Sequence, residues 1–243
     1  MSSDAEDGFG EKWTLARSAL DSSRRVSVFT GAGMSAESGI PTFRGEDGLW
    51  KGRRPEEWAT PEAFLESPAV VREFYQWRRD LISGVNPHAG HLALGSWAKA
   101  GNRAIDVVTQ NVDGFHQLSG CPSVLELHGS LWSQHCHVCQ HSETDVHRVS
   151  CHCGGPLRPS VVWFGEVLPQ DVWRQAEEVI RHSEAMLVIG TSAVVYPAAS
   201  LVFAALERSV PVIEINPQPV LGDPAICISG TAAKVLPQLL KGL

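Results

Sequence analysis

Four short apolar runs, each ending in small or polar residues, constrain this chain more than any other feature of its sequence. They occupy residues 26–29 before Thr30 and Gly31, 105–108 before Thr109-Gln110-Asn111, 186–189 before Gly190-Thr191-Ser192, and 212–215 before Asn216. Short, predominantly apolar runs suit strands buried on both faces of a parallel sheet. Between them, residues 69–82, 88–100, 172–182 and 197–207 carry apolar side chains at helical spacing. This alternation predicts an α/β fold, an open, doubly wound parallel sheet whose ligands collect at the carboxyl ends of the strands. All four polar strand ends then share one crevice.

With 243 residues, 43% of them hydrophobic, the chain can bury one substantial core and a small accessory module. No run reaches the roughly eighteen apolar residues of a membrane span, and the start carries Asp4, Glu6 and Asp7 where a signal peptide has a basic flank. A cytoplasmic monomer is expected. The formal net charge of −7 argues against nucleic acid or anionic membrane as partners and leaves small molecules and proteins.

Two segments interrupt the α/β pattern, a Gly/Pro/Arg-rich stretch at 42–61 and a Cys/His-rich stretch at 134–159. The second holds Cys136, Cys139, Cys151 and Cys153, a clustering that in a cytosolic chain favours a metal over disulfides. Four thiolates on two knuckles complete a tetrahedral zinc site with no open position, and closed sites are structural. The second knuckle is the tight Cys151-x-Cys153, followed by Gly154 and Gly155, and His152 replacing one thiolate is the alternative. Cys121 and Cys227 read as ordinary thiols.

Gly31-Ala32-Gly33-Met34-Ser35-Ala36 follows an apolar strand and fits the G-x-G-x-x-G/A pattern, whose glycines let backbone amides approach a pyrophosphate at a helix start. An ordinary glycine-rich turn reads the same way. No acid-terminated second strand follows, as it would in a dehydrogenase. Instead comes Ser38-Gly39-Ile40-Pro41-Thr42-Phe43-Arg44. This whole stretch resembles the NAD loop of the sirtuins (Sir2-like proteins), of the bacterial class III type. The resemblance continues through Thr109-Gln110-Asn111-Val112-Asp113, Leu127-His128-Gly129, Val162-Trp163-Phe164-Gly165-Glu166, Gly190-Thr191-Ser192 and Asn216. The C-x-C knuckle departs from the usual family spacing.

The resemblance implies an NAD-dependent protein-lysine deacylase with a structural zinc ion. Nicotinamide leaves the ribose C1′, the acyl oxygen of an acyl-lysine attacks there, and the acyl group departs as 2′-O-acyl-ADP-ribose. Implied NAD contacts are Gly31, Ala32, Gly33, Ser35, Ala36, Glu37, Pro41, Thr42, Phe43 (shielding the nicotinamide side), Arg44 (near the phosphates), Trp50, Gln110, Asn111, Val112, Asp113, His128, Gly190, Thr191, Ser192, Asn216, Pro217, Gln218 and Ala232. His128 corresponds to the general base, with Asn111 and Asp113 beside it. An imidazole pKa near about 6.5 suits that work, although residue context alone would not rank His128 above His91 or His116. Residues 162–166 read as an extended segment, which the family pairs with the substrate backbone.

Tyr75 and Arg78 lie three apart on a predicted helix and share a face, as ordinary amphipathic helices also allow. The pair resembles the Tyr-x-x-Arg element of sirtuins that remove succinyl, malonyl or glutaryl groups, and Ala59 matches the small residue leaving room for the larger chain. A phenol and an arginine fork together can recognise a carboxylate that an acetyl group lacks. Acidic acyl groups on extended protein segments are therefore the expected substrates, with acetyl also accepted. Protein ADP-ribosyl transfer shares the first step and is the alternative. Implied segments are a Rossmann-like NAD-binding domain from 10–41, 91–133 and 160–243, a helical flap at 42–90 and the zinc module at 134–159.

Overall fold

The computed structural model describes residues 10–41 and 54–243. Strands β1 (Arg25–Thr30), β2 (Ala104–Thr109) and β3 (Val124–Glu126) are followed by β4 (Gly129–Cys136), β5 (Ser142–Glu143) and β6 (Leu157–Val161), then by β7 (Ala185–Ile189), β8 (Val212–Asn216) and β9 (Ile226–Ser229). The helices are α1 (Gly10–Ser22), α2 (Pro55–Trp58), α3 (Pro61–Glu66), α4 (Pro68–Ser83), α5 (Ala89–Lys99), α6 (Phe115–Leu118), α7 (Gln170–His182), α8 (Ser200–Glu207) and α9 (Ala232–Leu239).

The main sheet has the order β3-β2-β1-β7-β8-β9, with every neighbouring pair parallel. The chain builds outward from β1 to β3 and then returns to the other side of β1. Strand order therefore reverses between β1 and β7, where open α/β sheets form their ligand crevice. Period-2 alternation explains the two cores. Leu187 and Ile189 of β7 join Val26, Val28, Ile105, Val107 and Ile213 under α1, α5 and α9. Met186 and Val188 join Phe29, Val108 and Val212 under α7 and α8. No helix among the described residues is long and apolar enough to cross a membrane.

The second sheet, β5-β4-β6, is antiparallel. Phe64 of α3 and Val71, Phe74, Tyr75 and Ile82 of α4 pack against Leu131, Val161 and Trp163 beside it. Each large side chain buried there contributes about 1.5–3 kcal/mol. Helix α3 starts cleanly because Thr60 Oγ1 accepts from Ala63 N at 3.1 Å and Pro61 holds the first helical position.

Three features depart from the sequence reading. The glycine loop leads into two short 3₁₀ turns, Ala32–Met34 and Ala36–Ser38, in place of one helix start. The short edge strands β3 and β9 and the helices α1 and α9 are further elements beyond those the sequence analysis placed. Residues 162–166 are not a strand: β6 ends at Val161, and Glu166 N closes a turn on Trp163 O at 3.0 Å, with Gly165 at φ +86°. A positive φ at Gly165 is incompatible with continued pleating, so the chain turns.

Candidate active site

The strand ends of β1, β2, β7 and β8 meet in one hydrogen-bonded cluster. Gly31 N donates to Ile189 O at 3.0 Å and Gly33 N to Gly190 O at 2.8 Å, so the two loops after β1 and β7 touch backbone to backbone. Glycine is required for that contact, since a Cβ on Gly190 (φ +59°) would lie 2.2 Å from Met34 N. Asn111 Nδ2 donates to Gly31 O at 3.0 Å, Gln110 Nε2 to Thr191 Oγ1 at 3.1 Å, and Asn216 Nδ2 to Thr191 O at 2.9 Å. Amide side chains from β2 and β8 thus tie the glycine loops together.

Asp113 is buried at this junction. Its Oδ2 accepts from Ser35 Oγ at 2.7 Å and its Oδ1 from Phe115 N at 2.9 Å. Burial pushes the carboxyl above its ordinary range, against the pull of the Phe115 N–H, the Ser35 hydroxyl and the Arg78 charge. Behind it lie two fully buried histidines. His91 Nε2 is 3.4 Å from Ser35 Oγ, and His116 Nε2 is 2.9 Å from Thr30 Oγ1. The Thr30 hydroxyl already donates to Thr109 Oγ1 at 2.7 Å, so His116 Nε2 carries the proton and Nδ1 is left without a partner. Desolvation lowers His91 to about 2 and His116 to about 4, so both are neutral in the native protein.

His128 is set differently. Its Nδ1 lies 3.1 Å from the Gln110 carbonyl, an acceptor, so Nδ1 carries the hydrogen and Nε2 keeps its lone pair. Desolvation lowers its pKa, partly offset by that carbonyl. A neutral imidazole with a bare Nε2 can take a proton near neutral pH. Gly129, next in the chain, has φ +76° and a Cβ there would meet Ser160 O at 2.0 Å, so the glycine serves the pairing of β4 with β6.

The thiols of Cys136, Cys139, Cys151 and Cys153 lie within 4.8 Å of one another. Cys136 and Cys153 are separated by 3.5 Å, and Cys139 and Cys151 by 3.6 Å. Four thiolates around one zinc ion at 2.3 Å stand about 3.8 Å apart, so the cluster fits a tetrahedral Cys₄ site. The N–H of Cys139 (3.5 Å) and of Val138 (3.4 Å) point at Cys136 Sγ, and that of Gly155 at Cys153 Sγ at 3.4 Å, which suits thiolates. The Cys139 N–H, the largest influence, helps pull the Cys136 thiol down to about 6. A Cβ on Gly155 would press within 2.8 Å of Cys136 Sγ, so that glycine permits the C-x-C turn to close. His152 keeps its Nδ1 3.4 Å from Cys151 Sγ, beside the thiols and not in place of one.

The third corner joins Ala59, Tyr75, Arg78 and Trp163. Ala59, Tyr75 and Trp163 are buried in one cluster, and Phe164 N donates to Ala59 O at 2.9 Å. Trp163 Nε1 donates to Tyr75 Oη at 2.7 Å. Burial raises the Tyr75 phenol to about 12, against the nearby Arg78 charge, and burial lowers Arg78, against Tyr75 and Asp113. Glu166 is drawn into the interior by Arg158, which donates to Oε1 at 2.6 Å and to Oε2 at 2.9 Å. Exposed residues of this turn are Phe164, Gly165 and Val167, with Val162 half-buried.

Residues 31–197, more than half of the chain, match the Sir2 family. The chain is 48% identical over 230 residues to an NAD-dependent protein deacylase of Pyrobaculum aerophilum, covering 91% of this chain and 92% of the relative. This protein belongs to the Sir2 family. Among solved Sir2 structures it resembles a mutant homologue bound to 2′-O-acetyl-ADP-ribose, with a TM-score of 0.86 and 40% identity over 93% of this chain and 94% of that one. It also resembles a Sir2 complex with a p53 peptide and NAD⁺, with a TM-score of 0.79 and 29% identity over 92% and 95%.

Of the residues singled out in this Sir2 chain, Thr42, Phe43, Arg44 and Trp50 lie outside the described residues. Ala36, Glu37, Ser192, Pro217 and Gln218 are exposed, whereas Pro41 is half-buried and Ala32 lines the loop as half-buried backbone. Glu37 Oε2 accepts from Ala233 N at 2.8 Å, at the start of α9 next to the buried Ala232. Val112 turns into the core beside Phe115 and Leu131. Sequence reasoning missed Arg158 and Glu214. Glu214, 1% exposed, accepts from Val220 N at 2.8 Å and Leu221 N at 2.9 Å and so fastens the loop after Asn216. A lone acid inside an apolar strand was the available signal.

Proposed function

We propose that this Sir2-family chain is an NAD-dependent protein-lysine deacylase that accepts acetyl groups and prefers succinyl- or malonyl-type groups. NAD supplies the electrophilic ribose carbon from which nicotinamide departs, one water is consumed as the lysine amine is released from the acyl carbon, and the products are nicotinamide, free lysine and 2′-O-acyl-ADP-ribose. The observation that carries the reading is the union of the Gly31–Gly190 contact with Gln110, Asn111 and Asp113 at one end of the sheet, beside a histidine with a bare Nε2. The relatives named as NAD-dependent deacylases and the acetyl-ADP-ribose complex of a Sir2 homologue support it.

In this reading Gly31, Gly33, Ser35 and the loops at Gly190 and Asn216 hold the dinucleotide, and Asn111 and Asp113 line the nicotinamide side. His128 Nε2 draws a proton from the ribose hydroxyls, with Nδ1–H anchored on the Gln110 carbonyl so that the ring presents one basic nitrogen. Tyr75 and Arg78 take the acyl carboxylate, with Ala59 leaving space. Acylated lysines arrive on extended segments that lie along the exposed backbone near Phe164 and Gly165, as the peptide complex of a Sir2 protein supports. Zinc, held by Cys136, Cys139, Cys151 and Cys153, is structural. The reading includes a cytoplasmic monomer with three NAD-domain segments, a helical flap and a zinc module.

The test is mass spectrometry of succinyl-lysine and acetyl-lysine peptides incubated with and without NAD, using wild type, His128→Ala and Arg78→Met. Loss of both activities in His128→Ala, with deacetylation surviving Arg78→Met, is expected. ADP-ribose attached to protein without deacylated peptide would replace this reading with ADP-ribosyl transfer.

A further inference from the structure

Tyr75 is 3% exposed, so the orientation of its hydroxyl is decided by its neighbours. A tryptophan N–H can only donate. At 2.7 Å, Trp163 Nε1 therefore uses an acceptor lone pair of the Tyr75 oxygen, and the phenol hydrogen is left to point at a different acceptor. The indole is itself clamped. The Arg158 guanidinium stacks on the Trp163 ring with its carbon 3.3 Å from the centroid, and Phe64 meets it at 5.3 Å between centroids. Trp163 N donates to Glu166 Oε2 at 2.8 Å, and the same carboxylate is gripped by Arg158, which is 4% exposed. A chain of fixed contacts therefore runs from Glu166 through Arg158 and Trp163 to the phenol.

We propose that Trp163 is a specificity-positioning residue, whose indole N–H orients the Tyr75 hydroxyl so that its hydrogen is donated to a carboxylate on the acyl chain. The inference rests on the acidic-acyl reading and extends it to a residue that need not touch the acyl group. Arg78, whose charge acts on the same phenol, supplies the cationic half of the recognition. Because burial keeps the phenol protonated far above neutral pH, the hydrogen is available throughout the working range. A phenol that both accepts from Trp163 and donates to the ligand has a single rotor state, which removes an ordering cost on binding. An acetyl group offers no carboxylate and does not use this hydrogen. Trp163 therefore acts on the ratio of the two activities and not on the chemistry they share.

The experiment compares kcat/KM for succinyl-lysine and acetyl-lysine peptides at saturating NAD in wild type, Trp163→Phe, Tyr75→Phe, the double variant and Arg78→Met. Phenylalanine keeps an aromatic ring on Arg158 and removes the donor. One neutral hydrogen bond corresponds to about a 3- to 10-fold change. Trp163→Phe is expected to lower the ratio of desuccinylation to deacetylation by that factor, whatever it does to the peptide contact both substrates share, and to change that ratio no further in the Tyr75→Phe background. Trp163→His, whose Nε2–H can sit where the indole N–H was, is expected to restore part of the ratio, which separates loss of the donor from loss of packing. Equal losses on both peptides, or an effect additive with Tyr75→Phe, overturn the positioning role while Arg78→Met still discriminates the peptides. If Arg78→Met and Tyr75→Phe also leave the ratio unchanged, the acidic-acyl reading fails and the positioning role with it.

Discussion

Acid should destabilise this protein well above the pH at which carboxylates titrate, because His91 and His116 are held neutral in the native core. Their pKa values fall to about 2 and about 4, whereas in the unfolded chain both sit near 6.5. Below pH 6.5 the unfolded state binds protons that the folded state refuses, so stability rises with pH in this window and is lost as pH falls. The loss for His116 is complete near pH 4, and that for His91 continues toward pH 2. Each group removes about 1.4 kcal/mol per pH unit below its unfolded pKa. Together they take about 4 kcal/mol between pH 7 and pH 5, a large part of the roughly 5–15 kcal/mol typical of a folded chain. The cause is visible in the unpartnered Nδ1 atoms of both rings, since protonation there would bury a cation with no acceptor. Urea unfolding followed by tryptophan fluorescence at pH 5.0–7.5 measures the slope. In His116→Gln, whose amide can still donate to Thr30, the slope below pH 6 should drop by about 1.4 kcal/mol per unit. His116→Gln and His91→Gln curves running parallel to wild type would refute the assignment.

Gly190→Ala forces a side chain onto a positive φ and against Met34 N, so it should cost at least about 2 kcal/mol and lower Tm by about 4–8 °C, with loss of NAD binding by calorimetry. Glu214→Gln aims an amide N–H₂ at the backbone donors of Val220 and Leu221, and it is expected to raise the KM for NAD about 5- to 30-fold with kcat unchanged in steady-state assays. Elemental analysis should find about one zinc per chain. Stripping it with a chelator should deprotect residues 134–159 in hydrogen exchange while β1, β2, β7 and β8 stay protected.

The four central strands were legible because each is largely buried on both faces and so predominantly apolar, with Ser27, Asp106 and Glu214 as the polar exceptions. β3 and β9 were not, since edge strands of three and four residues carry no comparable pattern. The turn at 162–166 was misread because Val162, Trp163 and Phe164 have strand composition, while Gly165 ends the strand conformation. Gln110, Asn111 and Asn216 could be placed in one crevice because strand ends of a parallel sheet converge. His128 could not be separated from His91 and His116 by residue context. What distinguishes it is environment: its Nδ1 is satisfied by the Gln110 carbonyl, and the other two rings are sealed in the core. Arg158 and Trp163 depend on packing between β6 and α4, which no local pattern encodes.

The most direct measurement is the product stoichiometry of one incubation with NAD and a succinylated peptide, read by liquid chromatography and mass spectrometry. Nicotinamide, unmodified lysine peptide and succinyl-ADP-ribose appearing in equal amounts is the predicted result. Nicotinamide released without loss of the acyl group, with ADP-ribose recovered on protein, would contradict the deacylase.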